Sequence, residues 1–536
     1  MVRLSADTGN GRIPKEVLDF FRSPGGHSLI IKGDAGTGKT TFALQLIEEL
    51  SQEQPEYYLS MRVSDEALFR QFPWLREKAK RNEILKAGKA FLKKTTTLEK
   101  EEYNPKQDAT LKATKNLLRA LTITDSNPSV VRTELNKLEG QVEAGEIDHE
   151  DEDDYNVIGP DGSLVLDIGT MLPELELAYD ITENNLPKRS LIILDSIEAL
   201  SEIYGISAQR IINVLQKDLV EHSDTNIIYV LETSAKSIMD YLGDGVLIMD
   251  SGEHNGRRIR QLIIEKLRGG SIHRWKYMFT LQGGRLSVFD HDSESLPSSK
   301  GKHVTVPDPD PRTISFGCTA LDQVMGGLPR GGMTLIEIDQ GVPQSTVQWL
   351  ETCIIVDHLS KGRGLVWNPL YSLDYDDVQK RLLSKLEKPQ MHDGLNILDT
   401  SNQSTNGYPF LRAIEGTDAS HDLRWDSLKY MLSKSSVPYL SILGFDSMEA
   451  TYGGDVLPQT FHHIDAMRRG GHVVVAEATP ISKSLPHLAN QATMHLKLES
   501  INGTVLMCGQ KPYTPYYHLE IEMVGDKECP RLMPLV

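Results

Sequence analysis

The chain has 536 residues, of which 39% are hydrophobic and 25% charged, and a formal net charge of −18. Its length exceeds one typical domain and points to two to four, with enough apolar content for packed cores. The acidic balance argues against a protein that coats nucleic acid by global electrostatics, and no apolar run approaches the ~18 residues of a membrane helix.

In chain order, the first segment, 1–7, has neither an apolar core nor a cleavage pattern, so no secretory signal is expected. Ser28–Lys32 reads as a buried strand and Thr40–Leu50 as an amphipathic helix. Between them runs Gly33-Asp34-Ala35-Gly36-Thr37-Gly38-Lys39-Thr40. Strand, glycine loop and helix in that order form a P-loop. Gly33, Gly36 and Gly38 let successive N–H groups face phosphates, and the helix start adds partial positive charge. Lys39 is expected to reach the terminal phosphates and Thr40 to offer a hydroxyl to Mg²⁺. Asp34, Ala35, Thr37 and Thr41 complete the expected cradle for ATP or GTP.

A strand is expected over Tyr57–Asp65. A long interruption follows, about residues 70–160, basic over Arg76–Lys94 and acidic over Glu143–Asp154. Such runs are solvated helix faces or disordered loops, or else a docking insertion. Asp195 then ends the apolar run Leu191–Leu194, a placement that suits a magnesium shell. Glu198 either contributes to that shell or marks a helix start. Ile227–Leu231 reads as another strand, with Glu232 at its end as a carboxylate facing the terminal phosphate. Gly256-Arg-Arg-Ile-Arg260 reads as a hairpin turn and an exposed basic strand, with Arg258 and Arg260 on one face and Ile259 opposite.

A polar, proline-studded linker is expected over 291–312, between a first domain, 1–290, and a second, 313–536. The halves look like copies. Met333–Thr346 matches Ser28–Thr41, Ser441–Ala450 matches Leu191–Ala199 with one residue of slack, and His472–Ala478 matches Ile227–Thr233. In this pairing Ile338 replaces Gly33, Pro343 replaces Gly38, Gln344 replaces Lys39 and Ser345 replaces Thr40. Asp446 is left at a strand tip, and Glu477 stands for Glu232. Pro343 removes an N–H and Gln344 a charge, so the second half is expected to be a degenerate copy without nucleotide. The four cysteines, Cys318, Cys353, Cys508 and Cys529, lack metal or disulfide spacing and fit a reducing cytoplasm.

The chain resembles the RecA superfamily of ATPases, most closely its KaiC-like branch. Ile314–Gly332 is similar to the segment that leads into that branch's P-loop strand, and Glu265-Lys-Leu-Arg-Gly-Gly-Ser-Ile-His273 to its late K-x-R-G segment. The resemblance implies an α/β fold of two tandem RecA-like P-loop domains with mostly parallel central sheets, the second degenerate. It also implies ATP with Mg²⁺ held by Thr40 and Asp195. Lys266 and Arg268 would reach a neighbouring subunit's nucleotide, in a homo-oligomeric ring. Within the branch, the two halves, the length and the segment Asn10–Phe21 resemble the archaeal gas-vesicle regulator family GvpD, whose members oppose a transcription activator.

Two departures shape the expected activity. The branch's water-activating glutamates fall on Arg62 and Val63, and Asp65 and Glu66 would need a register shift. Arginine cannot accept a proton, so slow hydrolysis or a nucleotide switch is expected, with Lys39, Glu232, Lys266 and Arg268 as the catalytic set. A protein partner is favoured. A DNA-acting recombinase or helicase ranks second, because Glu232–Asp244, where a DNA loop would fall, is not basic. A KaiC-type autokinase ranks third, because the second P-loop is lost.

Overall fold

A computed structural model describes residues 12–50, 53–60, 65–73, 178, 182, 185, 188–289, 301–400, 407–422, 439–524 and 527–536. The chain divides into two compact units, Met1–Gly252 with Arg260–Val288, and Glu253–Ile259 with Phe289–Val536.

The first unit is built on strands β1 (Ser28–Lys32), β2 (Glu56–Ser60), β3 (Leu191–Asp195), β4 (Asn226–Leu231), β5 (Gly245–His254), β6 (Arg257–Leu267), β7 (Lys276–Thr280) and β8 (Ser287–Val288), except that the tip of the β5–β6 hairpin, Glu253–Ile259, belongs to the second. They lie in the order β2-β3-β4-β1-β5-β6-β7-β8, and β2, β3, β4, β1 and β5 are parallel. Buried strands of this kind are apolar on both faces. Leu29 and Ile31 of β1 join the core on one side of the sheet and Ile30 the core on the other, and β3 and β4 divide likewise. Between β5 and β6, Asn255 (φ 49°) and Gly256 (φ 73°) make the two-residue turn that a twisted hairpin favours.

The helix expected over Thr40–Leu50 is present as Lys39–Leu50, and all but two of its residues are buried. Its polar side is matched by protein instead of water. Gln45 donates to Leu286 O and accepts from Leu286 N, and Glu48 meets Arg285 at 2.5 Å. The expected strand Tyr57–Asp65 is shorter: β2 ends at Ser60, and Asp65 opens the helix Asp65–Gln71.

The second unit repeats the plan. Its strands are β9 (Thr313–Ile314), β10 (Leu328–Pro329), β11 (Met333–Ile338), β12 (Leu365–Asn368), β13 (Leu395–Asp399), β14 (Leu411–Ala413), β15 (Leu440–Gly444), β16 (Val473–Ala478), β17 (Met494–Ile501), β18 (Thr504–Lys511), β19 (Tyr517–Val524) and β20 (Lys527–Pro534). β9 and β10 pair alone, and the rest run β14-β13-β12-β15-β16-β11-β17-β18-β19-β20. β12, β15, β16, β11 and β17 follow the order of β2, β3, β4, β1 and β5, and are likewise parallel. The β17–β18 hairpin even turns on Asn502 (φ 53°) and Gly503 (φ 76°), as β5–β6 turns on Asn255 and Gly256.

Part of the segment expected as linker is pinned within this unit. Val306 N and His303 both reach Asp357, while Asp308 pairs with Lys361 and Arg363. Burial alone would raise the Asp308 carboxyl, but the bonds from Arg363 and Lys361 hold it well below the usual carboxylate range. Among the described residues, no helix is long and apolar enough to cross a membrane.

Candidate nucleotide-binding site

In a parallel sheet the carboxyl ends of neighbouring strands open onto a common crevice. The register brings the chemistry-bearing residues of the first unit there. Lys32 of β1 lies opposite Leu231 of β4, and Val230 lies opposite Asp195 of β3. The loop after β1, Asp195 and Glu232 therefore share one edge, although 155 residues separate Thr40 from Asp195.

Close approach dictates the loop's glycines. A Cβ on Gly33 would lie 2.2 Å from Met249 O, and Gly38, at φ +105°, packs against Leu281. The Lys39 ammonium is buried, 2.7 Å from Gly33 O, 2.9 Å from Asp34 O and 3.2 Å from Glu232 Oε2. Glu232 is held in turn by its own N–H, which donates to Glu198 Oε1 at 2.8 Å. Glu198 lies in the first turn of the helix Ile197–Tyr204, as the helix-start reading expected, and its bond to the Glu232 N–H supports the site from there. Thr40 Oγ1 donates to Asp195 Oδ2 at 2.7 Å, and Tyr58 OH donates to the same oxygen at 2.8 Å. Hard oxygen donors converging at a glycine cradle fit Mg²⁺ beside a phosphate chain. Asp34 accepts from Ser234 Oγ at 3.0 Å. Ala35, Gly36 and Thr37 form the loop's apex, and Thr41 is buried in the helix.

Lys266 and Arg268 are not part of this cluster. They end β6 beside the start of β1, at the edge away from the P-loop. Lys266 Nζ donates to Asp240 O and Gly243 O, and Arg268 pairs with Asp244 at 3.1 Å. Burial, followed by the Arg268 charge, lowers the Lys266 pKa. The basic hairpin strand also differs from expectation. Arg260 is 5% exposed and reaches the P-loop, and Arg257 is buried between Tyr513 and the Thr514 and Gly509 carbonyls; of the three only Arg258 is exposed. Arg62 and Val63 lie outside the described residues, as does most of the 70–160 insertion, including Arg76–Lys94 and Glu143–Asp154.

Tyr58 and Arg260 were not legible as site residues. Tyr58 sits in an ordinary apolar strand, and Arg260 looked like one of several surface arginines.

The second unit keeps strand, loop and helix but not the groups. Gln344 opens the helix Gln344–Ser360 and is exposed. Its strand register corrects two of the sequence pairings. Because Met333 pairs with Val474 as Ser28 pairs with Ile227, the counterpart of Glu232 is Thr479, not Glu477. Because Gly444 pairs with Glu477 as Asp195 pairs with Val230, Gly444 takes the place of Asp195. Asp446 is not at a strand tip. It lies in the first turn of the helix Phe445–Tyr452 and accepts from Thr479 N and Oγ1.

Fold and site together define a P-loop protein of the α/β class, with two mostly parallel sheets and a nucleotide-binding loop in the first unit. Residues 17–113 and 151–265 match the family model described as GvpD gas vesicle protein, P-loop domain. Two relatives from Halobacterium salinarum run the length of the chain. Protein GvpD2 is 22% identical over 539 residues, covering 96% of this chain and 95% of its own. Protein GvpD1 is 21% identical over 575 residues, covering 95% and 94%. The chain is GvpD-like, and its match to that family's P-loop domain covers residues 17–113 and 151–265.

Proposed function

We propose that this chain is a cytoplasmic regulator of gas vesicle formation that binds ATP with Mg²⁺ in its first domain and hydrolyses it slowly. The observation that carries this reading is the convergence of Lys39, Thr40, Asp195 and Glu232 at the carboxyl edge of one parallel sheet, in a GvpD-like chain. Mg²⁺, held through Thr40 and Asp195, would neutralise charge on the phosphates. Lys39 would leave Glu232 to balance the terminal phosphates. That exchange frees the Glu232 carboxylate, already fixed by its N–H bond to Glu198, to orient water. A glutamate that must first part from a lysine would act as a base only once that exchange is complete, in line with the slow turnover proposed. Opposition to a transcription activator follows from the family resemblance and makes that activator the proposed protein partner.

We further propose a first domain over 1–290, a linker over 291–312 and a degenerate second domain over 313–536. The loss of the lysine and of the Asp195 equivalent supports the absence of a second nucleotide. Lys266 and Arg268, directed away from their own P-loop, would serve the nucleotide of a neighbouring copy in a homo-oligomer.

The test is ATP binding by the full chain and by Lys39→Ala, read by calorimetry with Mg²⁺. Binding by the parent and its loss by at least about a hundredfold in the variant is the expected result. Undiminished binding by Lys39→Ala would sink the reading. Hydrolysis stimulated many-fold by single-stranded DNA would replace the regulator with a recombinase.

A further inference from the structure

A P-loop backbone has two faces. Its N–H groups turn toward phosphate oxygens, so its carbonyls turn outward and need partners of their own. At the apex of this loop the partner comes from a distant strand. Arg260 of β6, 5% exposed, directs Nη1 to Gly36 O at 3.1 Å and toward Thr37 O at 3.5 Å.

Thr37 is tied to Asp34 O by its N–H at 3.3 Å and its hydroxyl at 2.9 Å, a turn that leaves the carbonyls of Gly36 and Thr37 to be held from elsewhere. Gly36 (φ +77°) and Gly38 (φ +105°) flank Thr37, and glycine backbones lose the most freedom when they are fixed. Packing restrains Gly38, whose Cβ would touch Leu281 at 3.0 Å, but a Cβ on Gly36 would meet nothing within 4 Å. Side-chain packing therefore holds the helix end of the loop, the bonds to Asp34 hold the Thr37 N–H and hydroxyl, and a charged hydrogen bond holds the Gly36 and Thr37 carbonyls.

We propose that Arg260 is a positioning residue of the nucleotide site. Its guanidinium fixes the outward carbonyls of Gly36 and Thr37, so that the Gly38 N–H, in the same peptide as the Thr37 carbonyl, stays aimed at the phosphates of a nucleoside di- or triphosphate. It touches no phosphate itself. The ordering cost of the apex is met on folding instead of on binding, which is the general route by which preorganisation raises affinity. A charge-assisted bond to the backbone is strong enough to matter at this level. The inference rests on nucleotide binding at Gly33–Thr40.

The experiment measures Mg²⁺-ATP and Mg²⁺-ADP affinity of the full chain and of Arg260→Met, Arg260→Gln and Arg260→Lys, alongside the melting temperature of each without nucleotide. Methionine keeps the stem's packing and loses the donors. Lysine keeps a charge and one directed donor. Arg260→Met and Arg260→Gln are expected to bind both nucleotides about tenfold more weakly, and Arg260→Lys to recover part of that loss. If Arg260→Met melts too low to assay, the contrast between Lys and Gln carries the test. Equal affinity in the parent, Gln and Lys proteins would overturn the proposal, as would losses that track melting temperature alone. Lys39→Ala is run in parallel. If the parent fails to bind, or Lys39→Ala binds as well as the parent, the nucleotide reading itself fails. If only the Arg260 series is flat, that reading stands and Arg260 is structural.

Discussion

Asp195 accepts hydrogen bonds from Thr40 and Tyr58 on one oxygen, which leaves the other free to turn toward a cation. Two donors on one carboxylate oxygen fix its direction as well as its charge. Tyr58 is buried, so its hydroxyl must find an acceptor, and Asp195 provides it. Tyr58→Phe removes one donor with little change in volume. The Mg²⁺ concentration that half-saturates nucleotide binding should rise about fivefold, the worth of roughly 1 kcal/mol. A Mg²⁺ titration of fluorescent nucleotide binding measures this, and an unchanged midpoint would remove Tyr58 from the site.

At the scale of elements, the two sheets share an order but differ in what their strand ends carry. The residue before each loop is charged and paired, with opposite sign. Lys32 meets Asp240 at 2.7 Å, whereas Glu337 meets His495 and Lys497, each at 2.9 Å. The second unit also buries Glu477 of β16 beside Glu351 of the helix Gln344–Ser360. Burial pushes Glu351 up to about 7 and Glu477 well above its ordinary value, with the neighbouring carboxyl adding to the latter. An acid whose folded pKa lies above its unfolded value of 4.5 gives stability that is fully present below that value and lost as pH rises through the folded one. Glu351 should therefore weaken this unit between pH ~4.5 and ~7, and Glu477, also raised, adds to the loss as pH rises above ~4.5. Glu477→Gln should raise the melting temperature at pH 8 by several degrees more than at pH 5. Calorimetric scans at the two pH values measure the difference, and equal shifts at both would count against the buried pair.

For the molecule as a whole, a degenerate second unit predicts one nucleotide bound per chain. Calorimetric stoichiometry tests that count, and two equivalents with half retained by Lys39→Ala would restore a second site. If Lys266 and Arg268 act on a neighbouring copy, mixing inactive Lys39→Ala and Arg268→Ala chains should recover up to about a quarter of parental hydrolysis in mixed assemblies, in line with a shared active site. No recovery in proven mixed oligomers would show that each site is completed within its own chain.

The P-loop, the strand ending in Asp195, the hairpin turn at Gly256 and the repeated α/β plan could be read in the sequence because each rests on local order. Strand, glycine loop and helix are adjacent in the chain, and buried strands announce themselves by composition. What the sequence misjudged depends on partners far along the chain. Helix Lys39–Leu50 reads as amphipathic from its polar residues, but Gln45 and Glu48 find Leu286 and Arg285 instead of water. The pairings of Asp446 and Glu477 failed because a shift of two residues preserves a strand's burial pattern and escapes any comparison of apolar runs. Arg260 looked like a surface charge because nothing local signals that β6 passes over a loop 224 residues earlier. Sequence alone thus determined that a phosphate-binding loop and two parallel sheets exist. Tertiary structure decided which carboxylates, tyrosine and arginine meet at that loop, since strand register and sheet order, not proximity in the chain, bring them together.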